Sequence, residues 1–253
     1  MAFLQPAHSV LPAAALAALL AASVPAQAPQ EYCRTSRGDM TNGYHYEMWI
    51  QDGTSGTACL TVYGSDARFK VAWNLGGYGF VARVGRFFDQ TKTDEQLGWI
   101  TADWEHTKTG TGTSWVGIYG WTVDPLMEYY IIEDWIGWRP QYTKKGVITV
   151  DSGEYDVYFN TRVNQPSIKG TNTFNQWYSV RKTPRLGGHI SISEHFSQWK
   201  ALGMPTGKLY EAKLKVEGLS GSGTVDFTKA TVTVGTKPTA LADPHPRWTA
   251  QGK

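Results

Sequence analysis

Past residue 30 the chain breaks into short runs of alternating character separated by glycine, at 44–50, 58–63, 69–74, 115–123, 128–135, 146–150, 154–163, 173–182, 208–217 and 223–234. Period-two alternation puts successive side chains on opposite faces, so each run reads as a strand. Gly-rich connections at near-regular spacing, with no alternation of strand and helix, point to an all-β fold, an antiparallel sandwich or β-jelly roll. One stretch departs from period two. In 193–203, Ser193 is a candidate cap, Phe196, Trp199 and Leu202 form an apolar stripe, and Gly203 is a stop. A single short α-helix is expected there, packed on the back of a sheet.

Residues 10–24 are rich in Ala and Leu, and Ala26-Gln27-Ala28 has the small-x-small pattern of a signal-peptide cleavage site, although 1–28 carry no Lys or Arg. Removing a signal peptide over 1–28 would leave 253 − 28 = 225 residues, enough for one substantial core. The expected division is therefore a signal over 1–28, a single domain over 29–235, and a disordered tail over 236–253, where Pro238, Pro244 and Pro246 interrupt a stretch without periodicity. No other stretch approaches the roughly 20 apolar residues of a membrane span. A formal charge of +2, with Lys and Arg scattered, gives no electrostatic footprint for nucleic acid or an anionic membrane. A secreted, extracellular monomer with an uncharged partner is expected. Cys33 and Cys59 in an exported chain are compatible with one disulfide, or with two unpaired thiols.

The chain has 11 Trp and 13 Tyr against 9 Phe, whereas a dry core favours rings without a polar atom to satisfy. Flat rings with N–H and O–H groups stack on sugar faces and bond sugar hydroxyls. The composition favours a carbohydrate ligand, although tyrosine-rich sheets also occur without one.

The run 124–135 carries a carboxylate where a buried face should carry hydrocarbon. Alternation places Glu128, Tyr130 and Ile132 on one face and Tyr129, Ile131 and Glu133 on the other. A Glu among Tyr and Ile on a concave sheet is unfavourable for folding alone, because an unpaired charge is costly to desolvate. It is either functional or an ordinary charge on a solvated face. Glu217 is a second candidate, at the end of an alternating strand and just before a Gly/Ser stretch read as a turn. The two lie 217 − 128 = 89 residues apart and can face each other only across a rolled sheet. Such a pair suits glycosidic bond cleavage, in which one carboxylate attacks or activates water and the other donates a proton. Glu133 and Asp134 read as solvated strand-end charges. His189 and His195 have no second ligand at metal spacing and read as structural, so no metal or cofactor is expected.

The stretch 124–133, Asp-Pro-Leu-Met-Glu-Tyr-Tyr-Ile-Ile-Glu, resembles the nucleophile strand of glycoside hydrolase family 11, the β-jelly-roll endo-β-1,4-xylanases. Residues 162–168, Arg-Val-Asn-Gln-Pro-Ser-Ile, are similar to that family's thumb loop, and Val216-Glu217-Gly218 to its acid/base strand. Further matches are Gly43-Tyr44-His45-Tyr46, Val180-Arg181 and the His195-Phe196 to Trp199 helix, so the likeness covers 42–235. It implies two twisted antiparallel sheets forming a cleft, xylan as substrate, and a retaining mechanism with Glu128 as nucleophile and Glu217 as acid/base. A carboxylate separation of roughly 5–5.5 Å would follow. It further implies that Trp49 stacks on a xylose, Tyr119 and Tyr130 bond sugar and nucleophile, Arg162 and Pro166 reach substrate from the thumb, Gln176 lines the cleft, and Tyr210 contacts substrate. From the residues alone, Trp49 could be a core tryptophan, Tyr119 and Tyr130 sheet-face tyrosines, and Arg162 a loop anchor.

Three departures stand out. The family has Tyr six residues before the acid/base Glu, where this chain has Glu211, with Tyr210 seven before; a β-bulge would return Tyr210 to the cleft. The family order Tyr-Trp after the cleft Gln is here Trp177-Tyr178. The stretch 74–80 lacks the Asn or Asp that stands beside the acid/base in the family, and Gly79 or Tyr78 aligns there. Two rival functions remain open at this level: a related jelly-roll endoglucanase using two glutamates, and a non-catalytic carbohydrate-binding module.

Overall fold

A computed structural model describes residues 28–64 and 66–238. The expected signal segment up to residue 27, and the tail from 239, lie outside the described residues. Those described form fourteen strands and two helices: β1 (Gln30–Tyr32), β2 (Ser36–Asp39), β3 (His45–Ile50), β4 (Ser55–Val62), β5 (Phe69–Gly77), β6 (Phe80–Phe87), α1 (Asp94–Leu97), β7 (Trp99–Gly110), β8 (Thr113–Val123), β9 (Met127–Ile136), β10 (Thr143–Val150), β11 (Gly153–Ser167), β12 (Gly170–Arg181), β13 (Gly187–Ser191), α2 (Ile192–Ala201) and β14 (Lys208–Gly235).

The strand β14 organises the molecule. Its first half, 208–220, pairs with β6 and β8; its second half, 221–235, pairs with β5 and β7. One sheet therefore runs β2-β3-β6-β14-β8-β9-β12-β11-β10, and the other runs β1-β4-β5-β14-β7-β13. The two fold over one another as a jelly roll. The Gly/Ser stretch after Glu217 is thus no turn: it is a register shift between Gly218 and Ser220 at which one continuous strand passes from sheet to sheet. Two further differences from expectation are a one-turn helix, α1, and a parallel pairing of β9 with β12 in an otherwise antiparallel arrangement.

Between the sheets lies the main core, in which Phe69 stacks on Phe227, Trp104 packs at their edge, and Leu60, Val71, Ile118, Ile131 and Leu214 are fully buried. The helix α2 begins at Ile192, one residue before the expected cap, because Ser193 is used otherwise: its hydroxyl accepts from the Ile100 amide at 2.9 Å. Phe196 and Trp199 pack on Tyr129 and Trp177, residues of β9 and β12 that point away from the opposite, cleft face. Cys33 and Cys59 are disulfide-bonded, tying the segment after β1 to β4. The bond spans 26 residues, and the loop-entropy model gives it about 3.5 kcal/mol.

Glu133 and Asp134 are not solvated; both are buried and ion-paired. Glu133 accepts from Tyr155 Oη at 2.6 Å and pairs with Arg185 and Arg181, while Asp134 lies 2.6 Å from Lys108 Nζ and 3.0 Å from His106 Nε2. The strand pattern alone does not show that partners on β7, β12 and the loop before β13 converge on the end of β9.

His195 is fully buried, with Nδ1 3.0 Å from Ser179 Oγ, which also accepts from Trp199 Nε1 at 3.0 Å. Burial, then the charges of Arg185 and Arg181, push the imidazole from 6.5 down to about 3. The folded ring stays neutral while the unfolded ring would be protonated. Its share of stability is therefore full above pH 6.5 and is lost as pH falls through the window toward 3. His195→Gln should flatten the acid branch: its urea midpoint should fall less than the parent's between about pH 6 and pH 4. Parallel curves for the two proteins would remove His195 as a source of acid sensitivity.

Candidate active site

Glu128 stands on β9 and Glu217 on β14, with β8 between them. Glu128 stands opposite Trp121 and Glu217 opposite Trp115 of β8, both on the concave face, and the charge of Glu217 acts on the Glu128 carboxyl. Glu128 is 7% exposed. Its Oε1 accepts from Tyr119 Oη at 2.6 Å and its Oε2 from Gln176 Nε2 at 2.6 Å, so both oxygens are fixed. Gln176 is itself oriented, because Asn160 Nδ2 donates to its Oε1 at 2.8 Å, and Tyr119 accepts from Trp121 Nε1 at 2.6 Å. Burial raises the Glu128 carboxyl above its ordinary range; bonds from Tyr119, Gln176 and Tyr130 pull it back, and the charge of Glu217 pushes it up.

The floor around the two carboxylates is aromatic. Tyr130 stacks on Tyr178 with centroids 4.5 Å apart and meets Tyr119 edge-on at 5.1 Å, while Trp115, Trp121 and Phe174 complete the patch. In the Trp177-Tyr178 pair, Tyr178 belongs to this cleft cluster and Trp177 to the main core, as strand parity requires.

Trp49 is 40% exposed and is no core tryptophan. It lines a concavity of about 130 Å³ with Tyr78, Gly79, Val81 and Glu217 at one end of the cleft. The side chain of Tyr210 packs on Phe87 at 5.0 Å and against the cleft cluster, with a register shift between Leu209 and Glu211. The bulge that would return Tyr210 to the cleft is therefore present, and Glu211 is buried beside it. Arg162 and Pro166 lie exposed on β11, which forms the thumb hairpin with β12. Arg162 Nη2 donates to Gln165 Oε1 at 3.1 Å, so in this state it braces the thumb. Ile168 at the tip leans on the cleft cluster, and Lys169 Nζ reaches Gln90 Oε1 at 3.1 Å across the opening.

The cleft floor also carries a set of charges that the residue pattern of β14 does not mark as buried. Glu211, Lys213, Lys215 and Glu217 alternate along one face of β14, and all but Glu217 are fully buried. Lys213 Nζ lies 2.7 Å from Glu47 Oε2 and 2.8 Å from Glu211 Oε2; Arg83 Nη2 lies 2.8 Å from Glu47 Oε2. Lys215 Nζ donates to Glu217 Oε2 at 2.6 Å. The signal was available in the period-two placement of Lys213, Lys215 and Glu217. Beside the acid/base candidate, then, stands a lysine. A Cβ on Gly79 would meet the Gly218 carbonyl oxygen at 2.6 Å, so no side chain fits there without backbone movement. Among the described residues the metal-spaced cluster is Glu31, Cys33 and Cys59, whose two cysteines are consumed by the disulfide.

Two carboxylates over an aromatic floor on the concave sheet of a jelly roll are the kind of arrangement that cleavage of a glycosidic bond requires. Residues 41–228 match the family described as Glycosyl hydrolases family 11, and the chain belongs to that family. It is 47% identical over 208 residues to endo-1,4-beta-xylanase C of Fibrobacter succinogenes, covering 80% of this chain and 33% of the relative. It is 42% identical over 211 residues to endo-1,4-beta-xylanase A of Bacillus pumilus, covering 82% of this chain and 88% of the relative. The chain thus spans about a third of the length of the first of these. A crystal structure of a double-cysteine ENZbleach xylanase mutant superposes with a TM-score of 0.74 at 34% identity, covering 83% of this chain and 89% of that one.

Proposed function

We propose that the protein is a secreted endo-β-1,4-xylanase that cleaves internal bonds of xylan with retention of configuration. The observation that carries this reading is the pair of carboxylates on β9 and β14 above a tyrosine and tryptophan floor, with both oxygens of Glu128 held by Tyr119 and Gln176. The Glu128 carboxylate attacks the anomeric carbon while Glu217 gives its proton to the departing glycosidic oxygen. The C–O bond breaks as a glycosyl ester to Glu128 forms. Glu217, now a carboxylate, takes a proton from water, whose oxygen bonds to the anomeric carbon as the ester C–O bond breaks. Both groups return to their starting states.

Trp49 serves as a stacking platform, Arg162 and Pro166 hold substrate from the thumb, and Tyr130 and Tyr210 contact sugar hydroxyls. The chemistry calls for no cofactor or metal and a single protomer suffices, with neither nucleic acid nor membrane as partner; among the described residues no helix is long and apolar enough to cross a membrane. Export agrees with the small-x-small segment at 26–28 and with the disulfide. Reducing-sugar release from xylan and carboxymethylcellulose tests the reading. Release from xylan alone is expected. Release mainly from carboxymethylcellulose would identify an endoglucanase, and binding without release would identify a carbohydrate-binding module.

A further inference from the structure

We propose that Lys215 is a positioning residue that serves as counter-cation to the single negative charge passing between Glu128 and Glu217 during turnover. This inference rests on the assignment of those two carboxylates. Before the first step the charge lies on Glu128 and Glu217 holds the proton; in the glycosyl-enzyme, Glu128 is an ester and the charge lies on Glu217. A cation that serves both states must reach both carboxylates.

Lys215 is placed for that. Its Nζ bonds Glu217 Oε2 at 2.6 Å, and Glu128 acts on it electrostatically. The ammonium lies 4.4 Å from the centroid of Tyr130, 5.1 Å from that of Trp115 and 5.9 Å from that of Tyr119, which places it over the aromatic floor between β14 and β9. The side chain is fully buried, so water cannot satisfy the charge. Burial works against the charged form and lowers the Lys215 pKa, and the two carboxylates counter that effect. A four-methylene stem lets the head follow a charge that moves by a few ångströms.

The remaining groups that face this pair do not replace it. Arg83, on β6, is engaged by Glu47 at 2.8 Å and by Glu211 at 3.5 Å. Tyr119, Tyr130, Tyr142 and Tyr178, from β8, β9, the segment after β9 and β12, are all held above their ordinary pKa, first by burial, and stay neutral. Arg162 acts on Tyr142 and Tyr178 from the thumb but bonds Gln165 there. Burying an ion pair is a poor device for stability alone, since an apolar pair of similar volume commonly does as well. At this position the cation has a chemical use.

The test is the pH dependence of kcat/KM on a xylo-oligosaccharide, whose leaving group needs the proton of Glu217, for the parent, Lys215→Met and Lys215→Arg, with folding followed by circular dichroism. A carboxyl deprived of its counter-cation holds its proton to higher pH. The alkaline limb of Lys215→Met should therefore move up by about 1–3 pH units, and Lys215→Arg should restore it. A folded Lys215→Met whose limb coincides with the parent's would overturn the proposal. Should Lys215→Met not fold, ¹⁵N titration of the Lys215 amine decides: its midpoint should fall in Glu217→Gln, and an unchanged midpoint overturns the idea. Azide treatment of Glu217→Ala separates the two levels. A β-xylosyl azide product with an unmoved limb in Lys215→Met would sink only the role of Lys215, whereas no azide product would sink the carboxylate assignment itself.

Discussion

Glu128→Gln should lower turnover on xylan by more than about 10⁴-fold, the order seen when a nucleophile is removed from a covalent mechanism. The amide keeps the shape of the carboxylate but cannot form the glycosyl ester. The fold should not suffer. Burial raises the Glu128 carboxyl, so at neutral pH the folded state carries the cost of ionising it, and a neutral replacement removes that cost. The sign follows from proton uptake: a carboxyl whose folded pKa is raised above 4.5 loses stability as pH rises from that ordinary value, and the loss is complete once pH passes the raised one. Glu128→Gln should therefore melt at or above the parent temperature at pH 7, as differential scanning calorimetry would show. A variant that is inactive and also melts far below the parent would mean that Glu128 holds the floor together rather than attacking substrate.

Glu217→Ala should fail in a different pattern. The first step loses its proton donor, so rates should fall by about 10²–10⁴-fold on xylan, and least on aryl glycosides whose leaving group needs no proton. The second step loses its base, which a small anion can replace. Added azide should raise turnover and yield a β-xylosyl azide, because two inversions at the anomeric carbon restore the starting configuration. The product's anomeric coupling in proton NMR reads this directly. An α-azide would contradict a two-step mechanism. Alanine also leaves Lys215 without its bonded partner, so the variant should be less stable at neutral pH than Glu217→Gln.

The fold class was legible because period-two runs and glycine punctuation survive in most strands. The strands that escaped are instructive. In β7 the inward face is Ile100, Ala102, Trp104 and His106, while the outward face is Thr101, Asp103 and Glu105. A small Ala and a buried His weaken the apolar signal. In β6 the glycine at 85 and the arginines at 83 and 86 interrupt a strand whose charges meet Glu47, on β3, and Glu211 and the Val232 carbonyl, on β14. The run after Glu217 reads as a turn because Gly218, Ser220, Gly221 and Gly223 are turn residues. They are there because β14 must bend from one sheet to the other, and an added Cβ at Gly223 would meet Trp73. The placement of carboxylates on the cleft face of β9 and β14 follows from strand parity, yet the same rule makes Glu133 and Asp134 look solvated when they are buried and paired. Face parity says which way a charge points, and only the three-dimensional neighbours say whether a cation waits there. Lys213 and Lys215 were overlooked for the converse reason, since lysine on a strand is ordinarily solvated and these two are sealed by Phe87 at 3.5 Å and Tyr130 at 4.4 Å.

A two-step mechanism requires a covalent bond between the sugar and Glu128. Incubation with a 2-deoxy-2-fluoro-β-xylobioside bearing a good leaving group, followed by peptide mass mapping, measures it. One equivalent of fluoroxylobiosyl group on Glu128 is predicted. A label on any other residue, or α-configured product from unmodified enzyme, would contradict the assignment.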